Sequence, residues 1–162
     1  MGETIKVGMA DMKLCRNPDL LTTLGLGSCV GVVLYDASTK ISGMVHVMLP
    51  DSTKIKNNEN RAKFADTGIQ DLYNEMLKMG ASRTKITAKI AGGAKMFTFG
   101  DKVSEFMQVG DRNVQATKEK LNELKVSILA EDTGLNFGRT IIFDSETGIL
   151  TIKAVGQPEK YI

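Results

Sequence analysis

Only one histidine and two cysteines occur among the 162 residues, and that scarcity limits the chemistry open to the chain. With His46 alone and no closely spaced cysteine cluster, a structural zinc site lacks its usual ligands, and no metal or other cofactor is expected. Cys15 and Cys29 are too few for a disulfide framework, so both read as free thiols. An excess of one charge is also missing: 21 Lys and Arg stand against 19 Asp and Glu, a formal charge of +2. That balance supplies no long-range field to draw nucleic acid or an anionic membrane surface. Long hydrophobic runs are absent too. The longest nearly unbroken one, Cys29 to Tyr35, is far short of the roughly 20 residues a membrane-spanning helix needs, so no membrane insertion is expected. The opening MGETIKVGMADMKL has no basic segment followed by an apolar core, which points to a cytoplasmic protein without a secretory leader.

What is present is enough apolar content, 42%, for a sizeable core, and residues 1–162 read as a single domain. TIKVGMADMKL and DLLTTLGL read as strands broken by a turn at Asn17-Pro18. CVGVVLY and ISGMVHVML, joined by Asp36-Ala-Ser-Thr-Lys40, form the clearest hairpin. Apolar residues at Ala65, Ile69, Leu72 and Met76 recur with helical spacing, ending at a Gly80 cap. A second helix follows from Val114, Thr117, Leu121 and Leu124, with Gly110-Asp111 as its expected N-terminal cap. KITAKIA, VSILAED, RTIIFD and GILTIKAV add strands, the last two joined by a turn at Ser145-Glu-Thr-Gly148. Strands clustered at both ends with two one-sided helices imply an α+β fold, largely antiparallel, with both helices on one face.

The hairpin allows a distance argument. Antiparallel partners across a turn have position numbers of constant sum, and a turn centred between Ala37 and Ser38 sets that sum at 75. Tyr35 then faces Lys40, Gly31 faces Met44, and Cys29 faces His46, the sole histidine. Directly opposed side chains share a face with Cβ atoms about 4.5–5.5 Å apart, so an imidazole can approach the sulfur. A neighbouring histidine can hold a thiol, ordinarily of pKa about 8.5, as a thiolate in an ion pair. Gly25 and Gly27 permit a sharp backbone before the cysteine, amides at Ser28 and Cys29 are candidates for an oxyanion hole, and Gly31 leaves room beside the sulfur. The residues alone keep two readings open, because a cysteine in a Val-rich strand is commonly a small core hydrophobe and a strand histidine is commonly structural. A one-residue slip in register would send His46 to the other face.

GLGSCVGVVLYD followed by Gly43-Met-Val-His-Val-Met-Leu-Pro50 resembles the CheD family of bacterial chemoreceptor glutamine deamidases, in which a Gly-Ser-Cys strand is coupled to a His-x-x-Leu-Pro strand. The resemblance continues through Arg61-Ala-Lys-Phe-Ala-Asp66, Ala88-Lys-Ile-Ala-Gly-Gly-Ala-Lys-Met-Phe97, Gly110-Asp-Arg-Asn-Val114 and Phe137-Gly-Arg-Thr140, while Ala91 and Leu135 stand where many members carry glycine. It implies a three-layer α/β/β sandwich, Cys29 as nucleophile, His46 as base and Thr23 as the residue that orients the imidazole. It implies a receptor helix as substrate, docked in a groove beside Cys29, and the CheC phosphatase as a further partner. Hydrolysis of glutamate methyl esters would share the thioester route. Rival readings are peptide cleavage or acyl transfer by the same pair, and a non-catalytic regulator that binds receptors and CheC. The glycines of GLGSCVG and Gly92-Gly93 match neither nucleotide-binding pattern. The polar stretch Ser52 to Asn60 reads as a solvated loop bordering the groove.

Overall fold

The two hairpin strands lack charge apart from Asp36 at the turn, and a strand of that composition must bury both of its faces. It does so by lying at the centre of a layered structure. The computed structural model describes residues 2–95 and 104–162, except for the side chains of 104–108. Met96 and Phe97, which close one of the quoted motifs, lie outside the described residues. In chain order the strands are β1 (Thr4–Lys6), β2 (Met12–Arg16), β3 (Leu20–Leu26), β4 (Val30–Asp36), β5 (Ile41–Val47), β6 (Ile86–Gly92), β7 (Ser127–Thr133), β8 (Arg139–Asp144), β9 (Ile149–Lys153) and β10 (Lys160–Tyr161). Helix α1 (Ala65–Met79) precedes β6, and α2 (Ser104–Glu123) connects β6 to its parallel neighbour β7.

One sheet has the order β2-β5-β4-β6-β7 and the other β1-β3-β8-β9-β10. All pairings are antiparallel except β1 with β3 and β6 with β7. Val30, Val32, Leu34, Val45 and Val47 pack with Ile69, Leu72 and Met76 of α1 and Leu121 of α2, so both helices cover one face of the first sheet. Its other face meets the second sheet through Val33, Met44, Leu21, Ile141 and Phe143. This is the three-layer α/β/β sandwich that was expected. The α1 face runs through the expected residues, and Gly80 ends it in the left-handed conformation, φ 109°, its N–H bonded to the carbonyls of Leu77 and Met76. No helix among the described residues is long and apolar enough to cross a membrane.

Three expectations are corrected. TIKVGMADMKL is not one strand: Thr4–Lys6 joins one sheet and Met12–Arg16 the other, with Ala10 at φ 56° in the crossing. Helix α2 begins at Ser104, so Gly110-Asp111 lies inside it rather than capping it. The hairpin register is displaced as well. Asp36 pairs with Ile41, a sum of 77, because Asp36 closes a four-residue loop: its carboxylate accepts bonds from Ser38 N (2.9 Å) and Oγ (2.6 Å), and its carbonyl accepts Lys40 N at 2.7 Å. The residue opposite His46 is therefore Gly31, not Cys29. Strand β10 was not anticipated; two exposed residues give no alternation to read.

Candidate active site

A displacement of two in the sum keeps the parity of faces. Cys29 precedes the first residue of β4 and lies diagonally from His46, two positions along from its true partner, so the thiol and the imidazole still share a face. That face is the layer between the sheets, where Cys29 belongs to the apolar cluster that also holds Leu26, Val33, Met44 and Ile141. Cys29 is 8% exposed and His46 is fully buried. The site lies at the Val30 end of the hairpin. The inter-sheet cavity of about 290 Å³ lined by Tyr35, Lys89, Phe143 and Gly148 lies at the Asp36 end, away from the thiol.

The other sheet supplies the third residue. Leu21 and Thr23 of β3 point into the same layer, and Thr23 Oγ1 lies 2.7 Å from His46 Nδ1. Its single hydroxyl proton is donated to the carbonyl of Val7 at 2.7 Å, so the oxygen must accept from the ring and Nδ1 carries the proton. Nε2 is then left with its lone pair, and it has no hydrogen-bond partner among the described residues. The main chain around the ring is pinned by the same crossing segment: His46 N donates to Asp11 O at 3.1 Å, His46 O accepts Ala10 N at 3.0 Å, and Val7 N donates to Thr22 O at 2.8 Å. Residues 7–11 thus tie both sheets together beside the imidazole. Thr22, next in sequence, bonds instead to the carbonyl of Ile141.

Burial sets the protonation of the pair. It pushes the Cys29 thiol up and the His46 imidazole down from their ordinary values. Both shifts favour neutral thiol and neutral imidazole at rest. A thiolate–imidazolium pair at this place requires each group to take its charge against burial. A neutral thiol beside a neutral imidazole can hand over its proton in step with nucleophilic attack, as an alcohol does to its base.

The loop carrying the sulfur is held by its carbonyls. Gly27 O accepts Ala94 N and Cys29 O accepts Gly93 N, both at 2.8 Å, while Ser28 O accepts Asn113 Nδ2 at 2.9 Å. The amides of Ser28 and Cys29 donate to no other described residue. Gly25 enters the loop at φ 70°, beside the bulge where β3 slips between Thr23 and Leu26. At Gly31 the room is taken by apolar side chains: a Cβ there would lie 2.7 Å from Ile141 Cδ1 and 3.1 Å from Leu26 Cδ1, so this glycine admits close packing of the second sheet. Leu135 takes φ 59°, a conformation natural to the glycine that many family members carry there. Sequence reasoning missed Val7, whose role is a backbone carbonyl with no side-chain signature, and Asn113, which sat inside a quoted motif without a contact to mark it.

The family model for CheD chemotactic sensory transduction matches residues 48–154, a stretch that excludes Thr23, Cys29 and His46 and so does not depend on them. Over the whole chain, 65% of 162 residues are identical to the probable chemoreceptor glutamine deamidase CheD of Lachnoclostridium phytofermentans, covering 100% of both proteins. The protein of the same description from Caldanaerobacter subterraneus is 55% identical over 98% of this chain and 97% of its own length, and that from Moorella thermoacetica 48% identical over 99% and 96%. Among solved structures, the hypothetical protein YfiH of Bacillus licheniformis superposes with a TM-score of 0.50 at 16% identity, over 78% of this chain and 51% of that one, a likeness of fold alone.

Proposed function

This chain belongs to the CheD family, and from that premise we propose that it is a chemoreceptor glutamine deamidase acting through Cys29, His46 and Thr23. The observation that carries the mechanism is the bond from His46 Nδ1 to Thr23 Oγ1, which leaves Nε2 as a free base on the face of Cys29. Nε2 takes the thiol proton as the sulfur attacks the side-chain amide carbon of glutamine. The carbonyl oxygen becomes an oxyanion, met by the amides of Ser28 and Cys29. The tetrahedral intermediate collapses to a thioester as His46 returns its proton to the departing ammonia. A water, deprotonated by the same nitrogen, hydrolyses the thioester to glutamate and restores the thiol. Each turnover consumes one water, releases one ammonia and adds one negative charge to the receptor.

A glutamate methyl ester would follow the same path with methanol leaving, so ester hydrolysis is a secondary activity of the same residues. The protein works at the cytoplasmic helices of receptors, and family membership supports CheC as its second partner. The test is incubation with a purified receptor cytoplasmic fragment, recording intact mass and ammonia. A gain of about one dalton per modified glutamine, lost in Cys29→Ala and His46→Ala, is expected for replacement of NH₂ by OH through an acyl-enzyme. Receptor binding without ammonia would assign the chain to the non-catalytic regulatory role, and a cleaved or cross-linked receptor to the protease or transferase rivals.

A further inference from the structure

The β4–β5 ladder ends at the pair Val30–Val47. Beyond it the strands part, because the amides of Met48 and Leu49 turn to the carbonyl of Lys63, at 2.7 and 3.1 Å. A fork opens between the cysteine loop and the end of the histidine strand, and the carbonyls of Ser28 and Met48 lose their ladder donors. Asn113 of α2 fills the fork. Its Nδ2 donates to Ser28 O at 2.9 Å and to Met48 O at 3.0 Å, using both amide protons. Two carbonyls can be met only by the NH₂ end, so the orientation of the side chain follows from its partners. Asn113 is fully buried, and its Oδ1 has no hydrogen-bond partner among the described residues. A side chain chosen only to fill space would not bring an unsatisfied acceptor into the interior.

A trans peptide points the carbonyl of one residue and the amide of the next in opposite directions. By holding Ser28 O towards α2, Asn113 turns the Cys29 N–H away from the helix and towards the layer that holds the thiol and the imidazole. Ala94 does the same for the Ser28 N–H through Gly27 O, and Gly93 anchors Cys29 O. The approach is close enough that a Cβ at Gly92, φ 109°, would stand 2.2 Å from Cys29 O. We infer that Asn113 is a positioning residue for attack on the amide: its two hydrogen bonds clamp the cysteine loop to the histidine strand and aim the Cys29 N–H at the oxyanion. The inference rests on the deamidase reading for its reaction, though not for its geometry.

The test compares two reactions of Cys29 in the full chain. Attack on a receptor glutamine, or on a short peptide bearing an aldehyde in place of that amide, develops an oxyanion; alkylation by iodoacetamide does not. For Asn113→Ala the turnover should fall ~10–100-fold with KM within about twofold, and the aldehyde adduct should weaken by a similar factor, since a lost oxyanion donor costs up to ~10³-fold. Alkylation of Cys29 should stay within about twofold, because it draws on thiol and base alone. Asn113→Asp, nearly the same shape, sets a carboxylate oxygen against the carbonyls and should behave like the alanine variant; it serves if that one does not fold. Unchanged turnover below the melting temperature would overturn the inference, as would alkylation falling in parallel with turnover. If the wild-type protein releases no ammonia, the deamidase reading falls, and the ratio of aldehyde adduct to alkylation still decides the role of Asn113.

Discussion

The two cysteines occupy opposite ends of one inter-sheet layer, and they differ in the polar groups that share it with them. Cys15 and Cys29 are both buried, both face the second sheet, and both have thiols pushed up by burial. Cys15 lies 3.2 Å from the hydroxyl of Ser42 and 3.8 Å from the carbonyl of Asp19. Cys29 shares its face with an imidazole whose Nε2 has no partner among the described residues. Ser42 and His46 stand four residues apart on β5, hence on one face and roughly 13 Å from each other. Burial by itself makes an inert thiol in both places. What Cys29 has and Cys15 lacks is an imidazole on its own face, bonded to Thr23, and on the proposed mechanism that imidazole is what makes a buried thiol a nucleophile.

The largest effect should come from exchanging the two positions. Cys29→Ala is expected to reduce ammonia release by ~10⁴-fold or more, as loss of a catalytic nucleophile does, with Cys15→Ala within about twofold of wild type. Loss of activity in the Cys15 variant alone would reverse the comparison. Removing the hydroxyl next to each centre sharpens it. Thr23→Val strands the Nδ1 proton and should lower turnover ~10–100-fold, the worth of one buried hydrogen bond expressed in a transition state, with Thr23→Ser restoring most of it. Ser42→Ala should leave turnover unchanged.

A smaller difference separates the resting thiols. With Cys29 raised and His46 lowered by burial, iodoacetamide should alkylate Cys29 along a curve that climbs towards and beyond pH 9.0. A plateau of reactivity from pH 5 to 8 would instead reveal a resting ion pair. The smallest effect is on stability. An unfolded imidazole takes a proton below pH 6.5 while the folded one resists it, so the unfolded state binds more protons in that window. Stability contributed by neutral His46 is full above pH 6.5 and declines as the pH falls, by at most about 1.4 kcal/mol per pH unit. Urea midpoints at pH 7.5 and 5.5 measure this, and His46→Gln should flatten the slope.

Much of this was legible in the order of residues. Continuous apolar composition marked β4 and β5 as strands buried on both faces, and the period of Ile69, Leu72 and Met76 marked α1. Cys29 and His46 are not direct partners, yet they stay on one face, because a shift of two in the sum preserves parity. The turn itself was misread because Asp36 closes a wider loop with its own side chain, and that contact has no period to betray it. The division of residues 4–16 between two sheets was equally hidden, since both halves have strand-like composition.

By itself the sequence determined the helix faces and the strands that carry Cys29 and His46, because these follow from local hydrophobic period, while the three layers were implied by the family resemblance. Tertiary structure decided what those residues can do. Thr23 meets His46 only because two sheets pack face to face, Val7 takes the hydroxyl proton only because the chain crosses between them, and Asn113 reaches Ser28 of the cysteine loop from a helix 85 positions away. Hydrogen bonds across such sequence separations depend on how elements pack, and no spacing along the chain encodes them.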